Sequence, residues 1–304
     1  MSETVHVPVG LSTSSWALGD CEGAFAASAE LGYDGVEVMV WSERVTQSPE
    51  CLVALSEEHG QPVLAVHAPT LLLTRTVFGT SPWDKVDRSI ELAQAVGAPT
   101  VVLHPPFFWQ ARYAAEFVAG VETRERATGT HLCVENMFTW RPRQAHSSRD
   151  FQAYSPTWDP VGQGYLSTTL DLSHAATSGS DGLALARALG PTLRHLHLTD
   201  GVPGFRDAHL LPGQGDQDCA GVLGHLASTG FAERGGQVVV EVNVRSMSDD
   251  ERREGLASAL AYAREHLEGD EAPPADVLGQ HRRVMQAPVG QGDHPGQSFG
   301  GLGR

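Results

Sequence analysis

The sequence predicts a single (β/α)₈ TIM barrel followed by a flexible tail. Short β-branched runs alternate eight times with alanine- and leucine-rich helical segments, which is typical of a parallel sheet. Eight such units over about 265 residues match the usual size of a barrel. Most of the apolar runs also stop near a histidine or a carboxylate, and a barrel brings the carboxyl ends of all its strands to one face.

The elements follow one another in strand–helix order. Strands are predicted near 5–12, 35–40, 63–67, 100–104, 131–136, 168–172, 193–199 and 238–243. Helices are predicted near 20–31, 49–59, 82–97, 111–128, 181–189, 216–229 and 249–268. The barrel is assigned to residues 1–269. The remaining residues, 270–304, are too rich in glycine and proline to support a core, so they are predicted to form a disordered tail.

Charge and composition restrict the class of protein. The chain has 21 basic and 37 acidic residues and a net charge of −16, which argues against a surface that coats nucleic acid. Apolar residues make up 41% of the chain, enough for a large core. The N-terminus lacks the pattern of a signal peptide, and no apolar run is long enough to span a bilayer. We therefore expect a cytoplasmic protein without a membrane partner.

Metal-binding residue types end the predicted strands. Seven apolar runs stop at, or within a few residues of, a histidine, aspartate or glutamate. These side chains bind zinc, manganese and other borderline or hard divalent ions. Buried charges are costly unless they are paired or coordinated, so the pattern indicates a metal enzyme. The candidate ligands are His67, His104, Glu135, Asp171, His174, His197, Asp207, His209 and Glu241.

The seventh strand and its loop, LRHLHLTDGVPGFRDAHLLPGQG, carry the densest group of donors. His195 and His197 share strand parity, so both can face the barrel interior, with His197 nearer the mouth. We assign His195 a structural role and His197 a ligand role. Asp207 and His209 add two donors from one turn. The glycines of PGQG lack the spacing of a nucleotide-binding loop, although their amides could still hold an anion.

Three further features allow two interpretations each. Asp171 could cap a helix instead of binding metal, but the next clear helix is predicted only near Asp181. Glu37 lies in an apolar run and could support a ligand or bind substrate. The aromatic-rich segment 138–165 could form a lid or substrate wall, or a loop packed over one side of the barrel.

At these residues the chain resembles the xylose-isomerase-like TIM-barrel superfamily, over about residues 8–268. That superfamily includes sugar and sugar-phosphate isomerases and epimerases, and the endonuclease IV class of abasic-site nucleases. Its shared metal ligands are Glu, Asp, His and Glu from strands 5 to 8. The resemblance places them at Glu135, Asp171, His197 and Glu241.

The resemblance to the nuclease class extends to five more donors. It implies three adjacent metal sites, with Glu135 shared by the first two. The first would use His67, His104 and Glu135, the second the four shared ligands, and the third His174, Asp207 and His209. The chain departs from the nucleases after strand 7, where HLTDGVP and DAH lack their asparagine, lysine and arginine. Thr70 also replaces a tyrosine that enters DNA, which disfavours a nucleic-acid substrate.

Two enzymatic hypotheses follow. The first is a metal-dependent sugar or sugar-phosphate isomerase or epimerase, in which Glu135 and Glu241 transfer the proton through an enediolate. It would use one Mn, Zn, Co or Mg ion and a small-molecule sugar held by Trp16, Glu37 and Arg206. The second is a trinuclear zinc phosphoesterase acting on a small phosphoester or on abasic DNA. A barrel that binds without turnover is the third, non-enzymatic hypothesis, and homo-oligomer formation is left open.

Overall fold

Eight parallel strands close into a barrel in chain order, with β8 hydrogen-bonded to β1. The computed structural model describes residues 6–70, 74–140, 151–204 and 206–268. The strands are β1 Val9–Ser12, β2 Gly35–Met39, β3 Val63–His67, β4 Thr100–Leu103, β5 His131–Glu135, β6 Ser167–Asp171, β7 Leu193–Leu198 and β8 Gln237–Val240. The predicted fold class is confirmed.

Nine α-helices lie in these described ranges, and most connect consecutive strands. They are α1 Thr13–Trp16, α2 Cys21–Leu31, α3 Pro49–His59, α4 Pro82–Val96, α5 Ala111–Thr128, α6 Leu172–Ser178, α7 Gly182–Leu189, α8 Cys219–Ser228 and α9 Asp249–Leu267. Their ends follow local sequence signals. Ser248 and Glu251 form a capping box at the start of α9, and Gly129 ends α5 in the left-handed conformation.

The apolar core lies mainly between the barrel and its helices, in two large clusters. One is centred on β7, β8, α8 and α9, and the other on β2 to β5 with α3 to α5. A third, small cluster of Phe107, Met137, Ala153 and Tyr154 joins the loops after β4 and β5. The candidate metal ligands lie outside these apolar clusters, at the mouth of the barrel where the strands end.

Seven predicted helices and all eight strands match the structure within a few residues. The helix α6 was not predicted, and Asp171 is its N-cap. In the described part of segment 138–165, Trp140 and Trp158 pack against the third cluster, as expected for a packed loop. Residues 141–150 and the predicted tail, 270–304, lie outside the described residues. No helix in the described ranges is long and apolar enough to cross a membrane.

Candidate metal centre

Nine predicted ligands lie at or just beyond the carboxyl ends of β3 to β8. Strand register sets their neighbours, because Asp171 on β6 pairs with His197 on β7. Glu241 directly follows β8, and its amide donates to the carbonyl oxygen of Leu198. The closed barrel therefore gathers residues that are up to 174 positions apart, from His67 to Glu241, at one face.

Three carboxylates converge around Nδ1 of His197. This nitrogen lies 2.9 Å from Oε1 of Glu135, 3.1 Å from Oε2 of Glu241 and 3.5 Å from Oδ2 of Asp171. One donor atom from each residue lies within 4.8 Å of the others, and all four residues are buried. Three carboxylates and one imidazole in this space could hold one divalent ion.

Glu37 orients His197 from below the centre. Its Oε1 lies 3.1 Å from Nε2 of His197, and its Oε2 lies 3.1 Å from Nε2 of His195. Glu37 and both histidines are fully buried. A carboxylate that accepts the proton of Nε2 leaves Nδ1 free to bind an ion. Of the two interpretations of Glu37, its burial between two imidazoles favours support of a ligand over contact with substrate.

Glu135 connects a second group of donors to the first. Whereas its Oε1 faces His197, its Oε2 lies 2.9 Å from Nε2 of His104 and 3.5 Å from Nε2 of His67. His67 also directs Nδ1 at the carbonyl oxygen of Ala68, 3.0 Å away. The two carboxylate oxygens thus face different groups of imidazoles, which is the geometry of a bridging ligand.

The third group surrounds Oδ2 of Asp207. This atom lies 3.2 Å from Nε2 of His174 and 2.9 Å from Nε2 of His209. The other nitrogens face carbonyl oxygens, since Nδ1 of His174 lies 2.8 Å from that of Asn136 and Nδ1 of His209 lies 3.1 Å from that of Glu241. Asp171 also joins His174 and His209 in a group of close donors. The three residues predicted for a third site are brought together.

These contacts test whether metal ions fit the centre. A carbonyl oxygen only accepts, so Nδ1 of His67, His174 and His209 carries the proton. In the neutral ring Nε2 then presents a lone pair to a carboxylate oxygen, which is repulsive unless a proton or a cation lies between them. Oε2 of Glu135 and Oδ2 of Asp171 are buried without a hydrogen-bond partner. Both features fit a centre built to hold divalent cations.

Without a cation, the same groups shift one another's pKa values. Burial alone would lower the pKa of His209, but the charges of Asp207 and Asp171 outweigh it and raise the pKa to about 10. Burial opposes ionisation of Glu135, yet the nearby charges of His197, His104 and His174 hold its pKa well below the ordinary value. In the metal-free protein, histidines of the centre therefore hold protons that a bound cation would displace.

Asp171 caps a helix and also leaves one oxygen that could bind an ion, so the two roles that the sequence treated as alternatives are compatible. Its Oδ1 accepts the backbone N–H of His174 at 2.6 Å and caps α6. Its Oδ2 remains free and faces the centre. The expectation that no helix begins here was wrong, because α6 has only seven residues and no helical periodicity long enough to detect. The helix cap holds Asp171 in place without using its second oxygen.

Ser14 is a residue of the centre that the sequence did not identify. Its hydroxyl donates to Oε1 of Glu241 at 3.1 Å and lies 2.9 Å from the hydroxyl of Ser12. It also lines a depression at the mouth with Met39, Trp41 and Glu43. The STSSW segment carried no spacing signal, because the contact joins residues 227 positions apart.

Two predicted substrate residues, Trp16 and Arg206, have different surroundings. Trp16 packs in the first apolar cluster, and its Nε1 donates to Asp20 at 2.9 Å. The guanidinium groups of Arg252 and Arg253 lie over its ring. Arg206 is exposed, on the loop that carries Asp207. This packing disfavours the prediction that Trp16 encloses a sugar, because its polar atom bonds to Asp20 and its ring is largely buried against the core and two arginines.

The fold is a TIM barrel with clusters of donors that could hold metal ions, and comparison with known proteins gives its family. The sequence model described as "Xylose isomerase-like TIM barrel" matches residues 25–266. The chain belongs to this family. It is 44% identical over 277 residues to the uncharacterised protein Rv0498 of Mycobacterium tuberculosis H37Rv, covering 86% of this chain and 98% of the relative.

Solved structures share the fold at low sequence identity. The 3-keto-D-glucoside 4-epimerase YcjR from E. coli aligns with a TM-score of 0.59 and 17% identity, covering 84% of this chain and all of that one. Endonuclease IV from Thermus thermophilus aligns with a TM-score of 0.51 and 20% identity, covering 85% and 99%. At such identities these matches show the fold alone.

Proposed function

We propose that this protein is a metal-dependent isomerase or epimerase acting on a small sugar. The observation that carries the proposal is the four-donor group of Glu135, Asp171, His197 and Glu241, the only group of four close donors found within the described residues. It contains two glutamates that approach His197 from different strands. When bound there, a divalent ion would polarise the sugar carbonyl and stabilise the enediolate charge.

The two glutamates would carry out the proton transfer. One carboxylate removes the proton from the carbon next to the carbonyl, and the other returns a proton to the opposite face or to the neighbouring carbon. Oε1 of Glu241 is held by Ser14 at the mouth of the barrel, whereas Oε2 faces His197. Glu241 can therefore contact the substrate with one oxygen while the other stays with the donors.

The surroundings of Glu241 favour an uncharged polyhydroxyl substrate. Ser14, which donates to Glu241, lines a small depression together with residues that include Thr46, Glu43, Met39 and Trp41, and its described lining contains no basic side chain. A phosphate group at this position would meet Glu43 without a compensating charge. Hydroxyl groups of a neutral substrate could bond to Glu43 and Ser14.

Solvent hydrogen exchange tests the proposal directly. The metal-reconstituted protein would be incubated in D₂O with ketoses, their phosphates and inososes, and deuterium incorporation followed by NMR. We expect exchange with a neutral sugar that falls about 10²–10⁴-fold in Glu241→Gln. Glu254→Gln is the matched control, since Glu254 is exposed on α9. Absence of exchange with every sugar, at full metal loading, would contradict the proposal.

A multinuclear phosphoesterase is a second candidate, and the bridging position of Glu135 favours it. Three groups of donors share this carboxylate or adjoin it, and three Nε2 lone pairs face carboxylates across gaps that cations could fill. Adjacent cations would stabilise the attacking and leaving oxygens of a phosphoester. Two results together would establish this candidate over the first. The protein would contain close to three zinc ions per chain, and it would hydrolyse bis(p-nitrophenyl) phosphate or abasic DNA in a reaction that His209→Ala abolishes.

A further inference from the structure

Asp200, two residues after β7, is a fully buried carboxylate that accepts four backbone N–H groups. Its Oδ1 accepts from Gly201 at 2.8 Å and from Gln217 at 3.1 Å. Its Oδ2 accepts from Gly213 at 3.0 Å and from Gly215 at 2.8 Å. None of the metal groups includes this residue. Such a set of amides around one anion resembles the concave amide sites that bind phosphate.

The anion in this site belongs to the chain itself. The amides of the PGQG turn, which the sequence suggested could hold an external anion, are occupied by Asp200. A Cβ added at Gly215 would lie 2.3 Å from the carbonyl oxygen of Gly201 and 2.4 Å from Oδ1 of Asp200. The turn therefore approaches the carboxylate so closely that only glycine fits at this position.

These bonds join the two ends of the loop that follows β7. Gly201 begins the loop, whereas Gly213, Gly215 and Gln217 lie at its end. Asp200 and Leu210 also exchange two backbone hydrogen bonds, of 2.9 and 2.8 Å. The middle of the loop, which bears Asp207 and His209, is thus attached to the barrel through Asp200.

The positions of Asp207 and His209 depend on how this loop is attached to the barrel. His209, next to Leu210, has a φ of 46°, a conformation that a residue with a side chain keeps only when its surroundings impose it. Its amide donates to Ser173 at 3.0 Å, and its carbonyl oxygen accepts from Asn243 at 2.7 Å. Ser173 also donates to Oδ1 of Asp207 at 2.6 Å, so that Oδ2 faces the histidines.

We infer that Asp200 is the positioning residue that aims Asp207 and His209 at a cation shared with His174. Loss of its charge would release the loop and remove this cation, while the four-donor group around His197 keeps its own. The inference concerns cation binding at the third donor group, whereas the proposed isomerase reaction requires only the ion of the four-donor group around His197. It therefore fails or holds independently of the proposed function.

The test compares zinc binding in the full-length wild-type protein with that in Asp200→Asn. The asparagine amide turns an N–H donor towards backbone N–H donors, so it cannot satisfy all four. We expect one fewer zinc ion per chain by elemental analysis, or an affinity about 10–100-fold weaker for that ion by chelator competition. The remaining zinc should bind as in the wild-type protein.

Two further variants separate positioning from general stability. Gly215→Ala disturbs the same contacts without changing charge, and it should lose the same ion. Asp218→Asn is the matched control, because the carboxylate of Asp218 accepts the amide of Gly221 at the start of α8, and zinc binding should be unchanged. Unchanged zinc content and affinity in Asp200→Asn would overturn the inference. Equal weakening of every ion, with a lower melting temperature of the metal-free protein, would overturn it too.

Discussion

Nε2 of His197 lies 3.1 Å from Oε1 of Glu37, and both side chains are fully buried inside the barrel. Nδ1 of the same ring faces Glu135, Asp171 and Glu241. The orientation of this imidazole therefore depends on a carboxylate that lies on the other side of the ring from the other three donors of the group. A partner of this kind fixes which nitrogen is protonated and increases the basicity of the other.

Glu37→Gln should weaken zinc binding about 10–100-fold, because glutamine keeps the size of the side chain but removes its charge. The affinity would be measured by competition with a chromophoric chelator. Glu125→Gln is the matched control, since Glu125 is a buried glutamate that contacts Ser167 and His131 instead. Equal zinc affinities in wild type and Glu37→Gln would show that Glu37 does not support His197.

Ser14→Ala should lower turnover about 10–100-fold and leave zinc content unchanged. The variant removes one hydrogen bond to a charged oxygen of Glu241, a contribution of about 1.5–3 kcal/mol. It does not touch Oε2, which faces His197. Deuterium exchange and elemental analysis would separate the two effects. Ser48→Ala, which alters the cap of α3, should change neither. Loss of zinc in Ser14→Ala would assign Ser14 to ion binding instead.

The metal-free protein should lose stability as the pH rises from about 7 to 10. The pKa of His209 is raised from 6.5 to about 10 in the fold, so its contribution to stability is complete below 6.5 and is lost as the pH passes 10. Urea unfolding after chelator treatment would measure this. His209→Ala should show a smaller decline, and zinc loading should reduce it as well, because the ion replaces the protons. A flat profile would contradict the pKa shift.

Lys85→Met should destabilise the protein by about 1–3 kcal/mol, because it leaves buried carbonyl oxygens unsatisfied. Lys85 is almost completely buried on α4, and its Nζ donates to the carbonyl oxygens of Thr74, at 2.7 Å, and of Val77. Urea unfolding would give the change in free energy. Arg88→Met, on the exposed side of the same helix, should change it by less than about 0.5 kcal/mol. Similar values for both variants would rule out this role.

Most of the candidate ligands could be inferred from local sequence, whereas the supporting residues Asp200 and Ser14 could not. Runs such as VVLHPP and VVVEVNV show both a strand and the donor at its end, so strand 4 was predicted with His104 and strand 8 with Glu241. Asp200 was overlooked because its four partners are backbone amides, which leave no residue-type signal. Ser14 was overlooked because its contact with Glu241 crosses the seam between β1 and β8.

The sequence by itself determined the barrel and the residues that end its strands, since hydrophobic periodicity and chain order are local properties. Only the tertiary structure decided which nitrogen of each histidine faces the centre and which oxygen of Asp171 remains free. It also decided that Glu37 supports His197 and that Trp16 packs against the core and two arginines. These properties depend on contacts between strands far apart in the chain, and they exist only once the barrel has closed.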